Sequence, residues 1–156
     1  MNHNQKSNAA NECELIHLNA GDNWRKYHKK RMSIVNIYNV SSEHHKEEAE
    51  VNPANLSDKT LLHYFGFKNI EGGILVEQLV GNETFALITF AGVGENDRGK
   101  GFCGRLVVQA TEVLRGTGVA LVGVQMNMFD DKRFWWKQGF TETVSMGNGI
   151  VLILPE

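Results

Sequence analysis

Glycines and cations alternate over residues 94–106, directly after the apolar run 86–93. A strand that feeds a glycine-rich turn and then a helix presents free backbone N–H groups at the positive end of the helix dipole. That is an anion site, with phosphate as its usual occupant. Gly99 and Gly101 permit positive φ and close approach of the backbone, while Arg98 and Lys100 add charge. Residues 94–100 also satisfy the G-x-x-x-x-G-K core of a nucleoside triphosphate loop. The next position must then offer a hydroxyl to magnesium, and it is Gly101. No strand ends in the Asp expected of a second magnesium ligand, and such a loop normally follows the first strand of its domain. The triphosphatase reading fails on these counts.

The elements that must position this loop are readable from periodicity. Residues 1–12 hold four Asn, one Gln and no large apolar residue after Met1, and a frayed tail is expected. A first strand is expected at 13–18 and a turn at 19–22, with Asp22 capping a helix over 23–38. Trp24, Tyr27, Met32, Val35 and Ile37 give that helix an apolar stripe, and residues 25–31 make its middle basic. Residues 39–58 form a polar connection containing Glu43, His44, His45, Glu47, Glu48 and Glu50. Adjacent histidines do not share a helix face, so this is read as a solvated charge run and no metal is expected. As an acidic lid it would attract a cationic amine.

Ser57 or Asp58 is then expected to cap a short helix carrying Leu61, Leu62 and Tyr64. Three strands follow at 65–70, 73–79 and 85–93, separated by turns rich in Gly or Asn. Phe102, Leu106, Ala110, Val113 and Leu114 fall at helical spacing until Gly116 and Gly118. Residues 119–124 are apolar on both faces, as in a buried interior strand. A short helix at 131–138 and strands at 140–144 and 150–154 complete the order. The expectation is one α/β (α+β) domain over 13–156, with a mixed, mostly antiparallel sheet of six to seven strands flanked by helices.

Composition bounds the rest. The chain has 156 residues, which suits one domain with an ordinary apolar core. Sixteen Lys and Arg against 18 Asp and Glu give a net charge of −2, so the bulk field that nucleic-acid binding usually needs is missing. Cys13 and Cys103 make no disulfide framework. No apolar run approaches the roughly 20 residues of a bilayer span, and the start lacks a signal-peptide segment. A cytoplasmic protein with no membrane or nucleic-acid partner is expected, and a homodimer is compatible with the sequence.

The segment 98–104 resembles the Arg/Gln-x-x-Gly-x-Gly/Ala signature of the GCN5-related N-acetyltransferases. Residues 134–140 look like that family's F-Y/W-x-K-x-G-F box. The resemblance runs from about residue 73 to 140 and implies acetyl-CoA as cofactor and a small-molecule or peptide amine as acceptor. It implies that the fourth and fifth strands part, so that Ala91, Gly92 and Val93 on one edge and residues 124–127 on the other bind the pantetheine arm. Arg98, Gly99, Lys100, Gly101, Phe102, Cys103 and Gly104 would take the pyrophosphate, with Asn127, Phe134 and Trp135 completing the cofactor site. Gly92 suits a bulge at the parting, or close packing.

Acetyl transfer to an amine needs a neutral nucleophile, a polarised thioester carbonyl and a proton for the leaving thiolate. The N–H of Val93 or a neighbour would polarise the carbonyl, and Glu77 or Glu83 would accept the proton. The family's usual acid is a Tyr in the box where this chain has Trp135, and indole cannot serve as that acid. Cys103, a water, or departure of the thiolate as an anion are the alternatives. A protein of this fold that binds coenzyme A without turnover is the rival reading.

Overall fold

The computed structural model describes residues 14–41, 60–79, 85–126, 132–146 and 149–155. The expected tail and most of the polar connection, including its acidic run, lie outside the described residues.

Strand β1 (Leu15–Asn19) leads into helix α1 (Trp24–Ser41) through a turn fastened by two asparagines. Asn19 Oδ1 accepts from the Gly21 N–H at 2.9 Å, and Asn23 Oδ1 accepts from the Lys26 N–H at 3.1 Å. Asn23, not Asp22, is therefore the residue that caps α1.

Strand β2 (Thr60–Phe67) occupies the place where a short helix over Leu61, Leu62 and Tyr64 was expected. Its sequence hides the strand because both faces are covered. Leu62 and Tyr64 pack with Tyr27, Ile34 and Val35 of α1, while Phe65 and Phe67 enter the core on the opposite face. No polar residue alternates with apolar ones when both sides are buried. The strand ends at Phe67 rather than Ile70, and Asn69 takes a left-handed φ of 69° in the turn that follows.

Strands β3 (Gly72–Leu79) and β4 (Phe85–Val93) follow, then a 3-10 turn (Glu95–Asp97), helix α2 (Phe102–Gly116), strand β5 (Leu121–Met126), helix α3 (Lys132–Lys137) and strands β6 (Glu142–Met146) and β7 (Gly149–Leu154). The sheet order is β1-β2-β3-β4-β5-β7-β6, with β4 and β5 parallel and every other pair antiparallel. Leu106, Val107, Ala110 and Leu114 of α2 join Ile74, Val76, Ala86, Ile88, Val122 and Val124 in the larger core on one face. Helix α1 covers β1 to β4 on the other. No helix among the described residues is long and apolar enough to cross a membrane.

The β3–β4 register shifts between Leu75 and Val76, which oppose Phe90 and Ile88. Thr89 is the extra residue of this β-bulge. Its effect is on parity. Before it, Ala86 and Ile88 face the α2 core; after it, Ala91 and Val93 do, while Phe90 packs on the α1 side. Gly92 is not the bulge. It sits in regular register with Gly73, and a Cβ there would come within 3.2 Å of Ile37 Cγ2, so close packing of α1 is what needs glycine.

Two side-chain devices tie the first three strands. The Tyr64 hydroxyl donates to the Gly72 carbonyl at 2.8 Å, and a Cβ at Gly66 or Gly73 would run into the Tyr64 ring. On the opposite face His17 Nε2 lies 2.9 Å from His63 Nδ1, and His63 Nε2 lies 3.0 Å from Gln78 Oε1. The amide oxygen can only accept, so His63 donates from Nε2 and receives the His17 Nε2–H at Nδ1. That arrangement holds two neutral imidazoles, and burial lowers both below the ordinary 6.5.

Candidate active site

The parallel pairing of β4 with β5 runs only from Phe85 opposite Leu121 to Ile88 opposite Val124. Beyond that point β4 continues to Val93, whereas Gln125 and Met126 pair with Val151 and Ile150 of β7. The two central strands therefore part at the bulge. Gly94 N–H donates to the Glu71 carbonyl at 3.0 Å, so strand alternation turns the N–H and C=O of Val93 and Ala91 away from β3, toward the gap. Apart from the Val93 carbonyl, which accepts from Arg98 Nε, this edge presents donors and acceptors that bind an extended amide-bearing chain as a further strand would be bound.

The loop at the end of that edge supplies N–H groups. Asp97 N–H closes on Gly94 and Arg98 N–H on Glu95, but among the described residues no backbone carbonyl accepts from residues 99–104. Gly101, the N-cap of α2, has a φ of 79° and makes no side-chain cap. Gly99 has a φ of 78°, and a Cβ at either glycine would meet nothing within 4 Å. Backbone conformation, not crowding, requires glycine at both positions. Gly104 differs, since a Cβ there would approach the Gln138 amide at 3.1 Å.

The two loop cations are engaged with protein groups. Arg98 Nε donates to the Val93 carbonyl at 3.2 Å, and Lys100 Nζ lies 3.7 Å from Asp97 Oδ1. The amides and the dipole of a 15-residue helix thus carry the attraction for an anion, with the cations as support. An ammonium in an exposed pair contributes little.

These groups wall one cleft of about 520 Å³. Ala91, Gly92 and Val93 form its strand side; Arg98, Gly99 and Gly101 its loop side; Phe102, Cys103 and Gly104 its helical floor. Ile37 of α1 and Asp97 also line it, and neither was singled out for the site in the sequence. Ile37 reads as one more apolar position on a helical stripe, and nothing local distinguishes a core contact from a cleft wall. Burial pushes the Cys103 thiol up to about 11 even though it stands in the first turn of a helix, so it is protonated at neutral pH.

The other expected residues divide. From α3 the cleft takes Phe134 but not Trp135. Trp135 is 7% exposed in the main core, edge-on to Phe134 at 4.9 Å and to Phe140 at 5.4 Å. Of these two adjacent aromatics on a six-residue helix, Phe134 lines the cleft and Trp135 packs into the core. Glu83 and Asn127 lie outside the described residues. Glu77 stands on β3 opposite Leu87, one residue before the last paired position of β4, on the face covered by α1. Partial withdrawal from water raises its carboxyl above the usual range, and the Arg31 guanidinium opposes that. Tyr27, beside the same pair, is pushed up to about 12 by burial.

No protein-family model matches the sequence, and no curated protein does. Solved structures do. GCN5 of Tetrahymena superposes with a TM-score of 0.57 at 18% identity, covering 81% of this chain and 87% of that one. The PaiA N-acetyltransferase of Thermoplasma acidophilum, in complex with coenzyme A, gives 0.56 at 12% identity, covering 92% and 100%. An aminoglycoside acetyltransferase from an uncultured soil metagenomic sample, in complex with sisomicin, gives 0.53 at 17% identity, covering 80% and 85%. The expected α+β fold with its seven-stranded, mostly antiparallel sheet is the one observed.

Proposed function

We propose that this chain, which has the GCN5-related N-acetyltransferase fold, moves an acetyl group from acetyl-CoA to a primary amine by direct attack of the amine on the thioester. The observation that carries the reading is the parting of β4 and β5 beyond Ile88 and Val124, with the open amides of residues 99–104 at its end. The cleft fits the cofactor chemically. Its loop end offers N–H groups to a diphosphate, and its strand end offers the N–H groups of Ala91 and Val93 and the Ala91 carbonyl to the amides of a pantetheine arm.

Acetyl-CoA supplies an activated acyl group. The chain's own residues have three tasks. Residues 99–104 hold the anionic end, with Arg98, Lys100, Phe102 and Phe134 around it; the N–H of Val93 or of a neighbour on the open edge points at the carbonyl to be polarised. Glu77 accepts the proton lost by the amine, with Glu83 as the second carboxylate, and Asn127 is a further candidate for holding the cofactor. The leaving thiolate takes a proton from water or from Cys103, or departs as the anion.

A second reading, coenzyme A binding without turnover, is favoured by one observation. Trp135 is packed into the core, and no tyrosine is among the described residues that line the cleft. Thermal stabilisation by coenzyme A together with thiol release from acetyl-CoA over a panel of amines tests both. Stabilisation without release on any acceptor selects the second reading, and the absence of both removes the two together.

A further inference from the structure

We infer that the acceptor is a polypeptide bearing a short acidic run that docks on the exposed cationic face of α1; this names the substrate class of the cleft and rests on the acetyl-transfer reading. Helix α1 contains Arg25, Lys26, Lys29, Lys30 and Arg31 and no acidic residue. Two of the five cations have work inside the fold. Lys30 Nζ lies 5.8 Å over the Tyr64 ring, and the buried Arg31 acts on Tyr27 and Glu77. Arg25, Lys26 and Lys29 are exposed and make no ion pair among the described residues.

The position of these three runs against the physics of the helix. Arg25 and Lys26 lie in the first turn, where the dipole is positive, and the last turn holds no cation. Asp22, just ahead of the Asn23 cap, is exposed and makes no ion pair with these cations among the described residues. A helix arranged for its own stability would have the opposite pattern. A surface that gathers positive charge at such an end favours a negatively charged partner.

The geometry connects that surface to the cleft. Lys26, Lys30, Ser33 and Ile37 recur at spacings of four, three and four, one row along the helix, and Ile37 lines the cleft. At a rise of about 1.5 Å per residue, Lys29 to Arg25 lie roughly 12–18 Å from Ile37. An extended peptide covers that span in about four or five residues. An acceptor must also bring an aliphatic amine, which a lysine or an N-terminus supplies and a nucleic acid does not. A polycation such as an aminoglycoside would meet like charge along this row.

The test uses the full chain and two labelled peptides, each with one lysine. One has an Asp/Glu run four or five residues away and the other has Gln in its place. Fluorescence anisotropy without coenzyme A is expected to show the acidic peptide binding about tenfold tighter, with the preference shrinking as salt shortens the Debye length. Acetylation with acetyl-CoA is expected to follow the same order. R25E/K26E/K29E is expected to abolish the preference while stabilisation by coenzyme A stays unchanged, and K29E alone is expected to reduce it should the triple variant not fold. Equal binding of the two peptides, or tighter binding of a single-stranded oligonucleotide, overturns the docking inference. So does an acidic-peptide affinity that rises in E47Q/E48Q/E50Q, which would assign the face to the chain's own acidic run. Loss of coenzyme A stabilisation in the unaltered chain with the peptide preference intact overturns the acetyl-transfer reading alone.

Discussion

Arg98 Nε donates to the carbonyl of Val93, five residues earlier, and so fastens the end of β4 to the loop that leads into α2. The motif's arginine acts here on the shape of the loop. Removing a charged donor from such a bond costs about 1–2 kcal/mol, or roughly tenfold in the affinity of a ligand that needs the loop formed. R98M is expected to weaken coenzyme A by that factor in calorimetry. R98K keeps the charge but lacks the planar fork and is expected to recover only part of it.

Gly99 and Gly101 stand in open space with φ near 80°, so Ala at either costs backbone energy without any clash. A left-handed L-residue is unfavourable by about 1–2 kcal/mol. G99A and G101A are each expected to lower stability by about that amount or, where the loop relaxes to avoid it, to weaken coenzyme A roughly tenfold in the same titration. G104A differs, because Gly104 lies within the helix and only the movable end of the Gln138 side chain must yield, and is expected to change stability far less.

The loop was legible because its requirements are local. Positive φ, uncapped helix amides and cations are written in consecutive residues, and the strand before it and the helix after it have clear periods. The parting of β4 and β5 has no local sign, since it lies in which partner each strand lacks. Only the resemblance of residues 98–104 and 134–140 to a known pattern pointed to it. Strand β2 was misread as a helix because its two buried faces erase alternation. Which of Phe134 and Trp135 enters the core was not legible, because adjacent aromatics on a short helix do not declare which of them faces inward.

Glu77, held above the usual carboxylate range by partial withdrawal from water, must be ionised to accept a proton. The acid limb of the rate profile is therefore expected to fall as pH drops through that raised value. E77Q is expected to lose about 10²–10⁴ in kcat together with the limb. An unchanged profile in E77Q would transfer the role to Glu83.

The His17–His63–Gln78 chain makes stability sensitive to acid. Both imidazoles have lowered proton affinity in the fold, so the unfolded chain takes up protons first, around its ordinary 6.5. Stability is full above that value and is lost as pH falls through it. Chemical denaturation of H17N/H63N is expected to show a flatter dependence over roughly pH 5 to 7, with about 1 kcal/mol lost at pH 8 for each bond broken.

Restoring a phenol to the box tests the role of Trp135. The side chain at 135 packs between Phe134 and Phe140, so W135Y is expected to leave kcat unraised and to lower the melting temperature. Roughly 1–3 kcal/mol is at stake, from lost volume and a buried hydroxyl. A gain in turnover would show that position 135 reaches the leaving group.

Thr89 gives β4 a frame, in the sense that a reading frame has one. Its extra residue makes odd positions inherit the face that even positions held before it. Deleting Thr89 would remove the bulge and leave Phe90 to Val93 on the faces they hold now, whereas taking Thr89 into regular pairing would exchange the two sides of everything through Val93. Ala91 and Val93 would then be presented to α1, and Gly92 would leave Ile37. The pairing of this stretch with β3, with Thr89 left out of it, is thus what aims Ala91 and Val93 at the cleft.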